Sequence, residues 1–185
     1  VPTTATPGAL LVAVPPLADP NFRRTLILLC DHTTEGSFGL VLNRPTGLSL
    51  AQVLDDTALG FDAPLWSGGP VQTDTLHYLH AFGDAVDGAL PVLDGVQWGG
   101  AFDALCEGLA DEHLDAERVR FFAGYSGWGP GQLDAEVDDG AWIVLDADAS
   151  LVFDDRGDTL WRSVLRRLGG EYAILSTFPD DPQMN

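Results

Sequence analysis

The chain contains no lysine: its nine positive charges are all arginine, set against 28 acidic residues for a formal net charge of −19. A field of that sign repels phosphate backbones and offers no counterion release, so non-specific nucleic-acid binding is not expected. Long hydrophobic runs are missing too. The longest wholly apolar stretch is Ala9 to Val14, extending over 8–18 if glycine and proline are admitted. A membrane-spanning helix needs roughly 20 such residues. No basic segment precedes this run and a proline pair interrupts it, which argues against a signal peptide and for a soluble protein of the cytosol. Cysteine is scarce. Cys30 and Cys106 lie far apart inside apolar segments, without the paired spacing of a structural zinc site, and read as buried free thiols. Neither a metal nor a cofactor is expected.

What is present indicates a folded core. With 185 residues, 45% of them hydrophobic, five Trp and nine Phe, the chain is expected to form one domain over 1–185, with 1–7 and 179–185 as tails. The charge is uneven. Residues 1–47 hold three acids (Asp19, Asp31, Glu35) and three arginines (Arg23, Arg24, Arg44), so the remainder carries the whole −19.

Short apolar runs bounded by turn signals such as Asp87-Gly88, Asp94-Gly95 and Asp139-Gly140 predict strands at 9–14, 25–30, 38–43, 76–82, 89–93, 119–125, 141–146 and 172–178. Ser49 and Gln52 form a capping box that opens a short helix to about Asp55. Phe102, Leu105, Cys106 and Leu109 recur at helical spacing within 100–113. Trp161, Val164, Leu165 and Leu168 do so before a Gly169-Gly170 stop, with Arg162, Arg166 and Arg167 on the polar side. Helices scattered among short strands predict an α+β fold with an antiparallel or mixed sheet.

Two stretches suggest chemistry and then fail their motifs. Gly124-Tyr125-Ser126-Gly127-Trp128-Gly129-Pro130-Gly131 is neither a G-x-S-x-G nucleophile elbow, because Trp128 stands in the last place, nor a dinucleotide loop, because Gln132 does. What remains is a glycine-rich aromatic turn, either structural or part of a ligand or partner surface. Asp134, Glu136, Asp138 and Asp139 lack the glycine and glutamate positions of a calcium loop, and read as a solvated acidic face.

The N-terminal third holds the best candidate site. Cys30 and His32, two apart on a predicted strand, share a face; an imidazole beside a thiol can activate it, and the same pattern suits a core cysteine at a strand end. Arg23 and Arg24 precede that strand, while Asn43 and Arg44 end the next. If the two pair as a hairpin, the arginines gather at the end away from its turn. Their planar forks suit a carboxylate or phosphate, or else pair internally with an acid such as Asp19.

The stretch LLVAVPPLADPNFRRTLILLCDHTTEGSFGLVLNRPT resembles the YqgE/AlgH family of small bacterial proteins. So do Ser67-Gly68-Gly69-Pro70-Val71, Ala123 to Trp128, Gly131-Gln132-Leu133, Ala141-Trp142 and the Trp161–Leu168 helix. The segments fall in the family's order over nearly the whole chain. The resemblance implies a single compact α+β domain, a strongly bent, mostly antiparallel pseudo-barrel sheet with helices packed outside, and the bacterial cytosol. It brings a transcriptional-regulator label through genetic association, but no agreed catalytic residues. No helix-turn-helix with a basic second helix accompanies that label here.

Two functions follow. The first is a non-catalytic regulatory or interaction protein, affecting transcription indirectly if at all, with a protein partner seated on Tyr125, Ser126, Trp128 and Gln132. The alternative is a small-molecule binder or enzyme whose site joins Arg23, Arg24, Asn43, Arg44, His32 and Cys30 to that loop.

Overall fold

The computed structural model describes residues 4–54 and 59–179. An all-apolar strand forms its centre. β1 (Ala9–Ala13) is buried along its whole length and lies between β2 (Leu26–Thr33) and β10 (Trp142–Asp146), antiparallel to both. Because side chains alternate across a strand, such a run feeds two cores at once. Leu10, Val12, Leu26, Leu28 and Leu40 enter one cluster, while Leu11, Ala13, Ile27, Leu29 and Val41 enter another on the opposite face.

β3 (Gly36–Val41) closes a hairpin on β2, and the sheet continues through β9 (Val119–Trp128), β6 (Val71–His80), β8 (Val96–Trp98) and β7 (Leu90–Leu93). β4 (Pro45–Ser49) and β5 (Pro64–Ser67) form a short ladder off this path, β5 running parallel to β9. The sheet is thus mostly antiparallel and curls into a half-barrel. This is the α+β architecture expected.

Six α-helices are present among the described residues. α5 (Asp158–Leu168) buries Leu160, Trp161, Val164 and Leu165 against the first cluster, and the Trp161 indole N–H donates to the Ala13 carbonyl at 2.8 Å. α2 (Phe102–Ala110) covers a third cluster around Phe121 and Leu65. α1 (Leu50–Leu54) opens with the predicted capping box: Ser49 N–H donates to Gln52 Oε1 at 2.9 Å, and Gln52 N–H to Ser49 Oγ at 3.4 Å. Asp55, its expected end, lies outside the described residues. α3 (Gln132–Asp138), α4 (Ala149–Val152) and α6 (Gly170–Leu175) are short. No helix of the described residues is long and apolar enough to cross a membrane.

The structure corrects several expectations. Residues 172–178 are not a strand but α6 and a following turn. Tyr and Ile disfavour a helix by at most about 0.7 kcal/mol each, and packing of Tyr172 and Leu175 against the main core outweighs that. β4, β5 and β8 went unpredicted because they are short and carry Pro, Gly or Gln within them. The glycine-rich stretch does not turn at Tyr125: β9 runs on to Trp128 and the turn comes after it. Residues 1–7 are not wholly a tail, since Ala5 is buried in the second cluster. At the other end the Pro179 carbonyl accepts from Arg24, while 180–185 lie outside the described residues.

Candidate functional site

The turn before β2 is built by Asp19. Its carboxylate accepts from Asn21 N–H at 2.9 Å, and its carbonyl accepts from the N–H groups of Phe22 and Arg23. Phe22 then pins the turn to the sheet, its ring centroid 6.4 Å from Trp128 and 6.0 Å from Trp142. Arg24 follows with φ of 56°, a left-handed conformation that costs a non-glycine residue roughly 1–2 kcal/mol. Asn43 holds it there. Buried just beyond the end of β3, it donates from Nδ2 to the Arg24 carbonyl at 2.9 Å and accepts from Leu26 N–H at 2.9 Å.

The hairpin register therefore brings Arg23, Arg24, Asn43 and Arg44 together, and the start of α5 adds Arg162 and Asp158. These groups line one cleft of about 680 Å³. Arg44 donates to the carbonyls of Asn21 and, at 2.8 Å, of Arg23. Arg24 and Arg162 both donate to the Phe178 carbonyl, at 2.7 and 3.1 Å, and Arg24 lies over the Trp161 ring at 5.1 Å. Burial pushes the Arg44 pKa below its ordinary value; Asp158 and Asp19 oppose that shift and Arg23 reinforces it. The hydrogen bonds of Arg44 thus go to neutral carbonyls, with Asp158 and Asp19 acting on its charge from nearby.

Cys30 and His32 do not join this cleft. They stand toward the opposite end of β2, beside the turn into β3. Cys30 is buried, its thiol donating to the Leu28 carbonyl with Sγ 3.7 Å from the oxygen, and burial, with Asp31 adding to it, drives its pKa far above the ordinary range. His32 turns to other partners: Nδ1 lies 2.7 Å from Ser37 Oγ, and Nε2 lies 3.4 Å from Asp134. Because His32 and Ser37 are direct cross-strand partners, that contact follows from the hairpin itself. The composite arginine, histidine and cysteine site is not assembled.

The 124–132 segment is placed differently again. Ser126 is buried and donates to the Gly68 carbonyl at 3.1 Å. Trp128 is a core residue of the second cluster. Its indole N–H donates to Glu136 at 3.0 Å, Trp142 donates to the same carboxylate at 2.8 Å, and Gln132 Nε2 does so at 3.0 Å. Glu136 is thus not part of a solvated acidic face. Tyr125 is half-buried and stacks on Phe38 at 4.7 Å, in a cluster with His77 and Trp98. Among the described residues no group of three His, Cys, Asp or Glu side chains is placed to hold a metal ion.

A family model described as AlgH-like matches residues 10–173. The chain belongs to the AlgH-like family. It is 43% identical over 182 residues to UPF0301 protein CT0663 of Chlorobaculum tepidum, spanning 97% of this chain and 95% of that protein. A UPF0301 protein of Chlorobium limicola is 41% identical with the same coverage. Among solved structures, the AlgH protein from Pseudomonas aeruginosa superimposes with a TM-score of 0.73 at 33% identity, over 96% of this chain and 98% of that one. Protein DIP2367 from Corynebacterium diphtheriae does so with a TM-score of 0.76 at 25% identity, over 95% and 93%.

In this AlgH-like chain the sequence marks neither Arg162 as a cleft residue nor Arg120 as a buried one. The α5 period had already set Arg162 on a polar face; only the docking of α5 shows which cleft that face meets. Arg120 carried no signal at all, since a single arginine in an apolar strand stands out only once its burial is known.

Proposed function

We propose that this AlgH-like protein is a non-catalytic binding protein of regulatory type, which holds a carboxylate- or phosphate-bearing group between Arg23, Arg24, Arg44 and Arg162. The gathering of four of the chain's nine arginines into one cleft, on a molecule of net charge −19, carries the reading. Planar guanidinium groups suit oxyanions, and a local cationic cleft in an anionic field selects for a focal charge over an extended polyanion. The left-handed Arg24, held by Asn43, adds support, because strained backbone of this kind collects at ligand clamps. The thiol and imidazole considered as nucleophile and base stand elsewhere, which favours binding over turnover.

The test pairs a titration with a pull-down, comparing wild-type protein with an Arg23→Gln/Arg44→Gln variant. Inorganic phosphate and citrate are titrated calorimetrically, and partners are captured from native cytosol with nuclease present. Saturable anion binding, or a one-to-one partner, that is lost in the variant supports the proposal. No anion binding together with an unchanged set of partners overturns it.

A further inference from the structure

A second cleft, of about 590 Å³, opens where β5 meets the start of β9 and the segment linking α4 to α5. Its inner wall is Arg120, only 6% exposed. Parallel pairing of β5 with β9 sets Leu65 beside Phe121 and Trp66 beside Phe122, so Arg120 shares a face with Phe122 and Trp66. Its guanidinium carbon lies 4.0 Å from the Trp66 ring centroid, and Nη1 donates to the Leu42 carbonyl at 3.2 Å.

That is little for a buried cation. A guanidinium offers five N–H donors, and burying its charge is costly unless it is paired. No carboxylate of the described residues closes an ion pair with Arg120. Asp154, a carboxylate of the same wall, is already gripped by Arg156, with Nε at 3.0 and 2.9 Å from its two oxygens and Nη2 at 2.6 Å. Burial brings the Arg120 pKa down to about 10, with Asp154 and Asp155 acting against that shift. The guanidinium nevertheless keeps its charge near neutral pH and presents it to an open cleft.

The rest of the lining narrows the ligand. Trp66, Phe153 and Pro64 supply apolar wall; Arg156 at the rim is cancelled by its pair with Asp154, so the exposed Asp155 and Glu117 leave the rim net negative. A phosphate dianion reaching Arg120 would pass and face those acids. A molecule carrying one carboxylate and one ammonium would match both ends. The volume falls within the ordinary range for small-ligand clefts, roughly 300–1,000 Å³.

We propose that this cleft binds a small amino-carboxylate zwitterion of the free amino acid class, with its carboxylate on Arg120, its ammonium toward Asp155 and Glu117, and its side chain against Trp66 and Phe153. The assignment is independent of the arginine cleft.

The standard L-amino acids are screened singly by thermal shift on the full chain, and those that raise the melting temperature are titrated calorimetrically. At least one amino acid is expected to bind saturably. Its carboxamide, which lacks the carboxylate charge, and the Arg120→Gln variant should each weaken binding about tenfold or more. Asp155→Asn, an exposed change, should weaken the amino acid while leaving propionate affinity unaltered or raised, since it removes a negative charge from the rim. If Arg120→Gln fails to fold, the carboxamide and Asp155→Asn comparisons decide on their own. No binding by any amino acid overturns the proposal, as does a carboxamide that binds equally well. Propionate binding as tightly as the amino acid would show a simple anion site and overturn the zwitterion assignment. Loss of binding in Arg44→Gln but not in Arg120→Gln would move the ligand to the other cleft.

Discussion

Trp128 shows how far a residue's role depends on its neighbours. In the sequence it closes an aromatic, glycine-rich stretch that suits a docking surface. In the fold it is 6% exposed, flanked by Phe22 and Trp142, and its indole N–H is bound by Glu136. Trp128→Ala is therefore expected to cost about 3–5 kcal/mol of stability, read as a lower urea midpoint; unchanged stability with a lost partner would return it to the surface role. Cys30 makes a parallel case. With its thiol buried and its pKa driven up, iodoacetamide should leave Cys30 unmodified in the native protein and label it once urea is added. Native-state labelling at the rate of a free thiol would contradict the burial.

At the scale of elements, the crossing of the β5–β6 connection over β9 depends on backbone against backbone. A Cβ on Gly69, at φ of 150°, would stand 2.2 Å from the Tyr125 carbonyl oxygen, and no flexible side chain is there to yield. Gly69→Ala should give no soluble folded protein, or a loss above about 3 kcal/mol. Gly131→Ala, at φ of 71° with open space around it, should cost only about 1–2 kcal/mol. Urea unfolding of the two variants side by side separates collision from conformational strain. Legibility of the elements followed the same division. β1, β2 and α5 were readable because each carries a full apolar period, and the capping box of α1 because its two residues bond each other. α6 was misread since its composition is neutral between states. β5 was missed since four residues carry no period.

For the whole molecule, pH reports on the third core and its surroundings. His80 is fully buried; Nε2–H donates to the Gly99 carbonyl at 2.9 Å, and Nδ1 accepts from Phe82 N–H at 3.3 Å. Burial lowers the pKa of both His77 and His80 below the ordinary 6.5. The unfolded chain thus takes up protons that the folded one refuses. Their contribution to stability is complete above about pH 6.5 and is lost as pH falls below it. The urea midpoint should decline from about pH 7 to about pH 5.5, before most carboxylates titrate, and the decline should be shallower in His80→Gln. A flat profile in the wild type would show that neither histidine is held neutral.

The fold class, the central strands, three helices, the family resemblance and the arginine-bearing hairpin end were determined by the sequence itself. Each rests on local chemistry: an apolar period, a cap, a turn residue, or a strand pair whose ends must meet. What the clefts contain was decided only by the tertiary structure. Arg162 reaches the first cleft because Trp161 locks α5 onto β1, and Cys30 is excluded from it because it lies farther along β2, buried in the main core. Arg120 becomes a candidate ligand anchor only because the parallel pairing of β5 with β9 lays Trp66 over it. Desolvation and charge pairing are sums over neighbours that lie far apart along the chain, and no local pattern of residues encodes them.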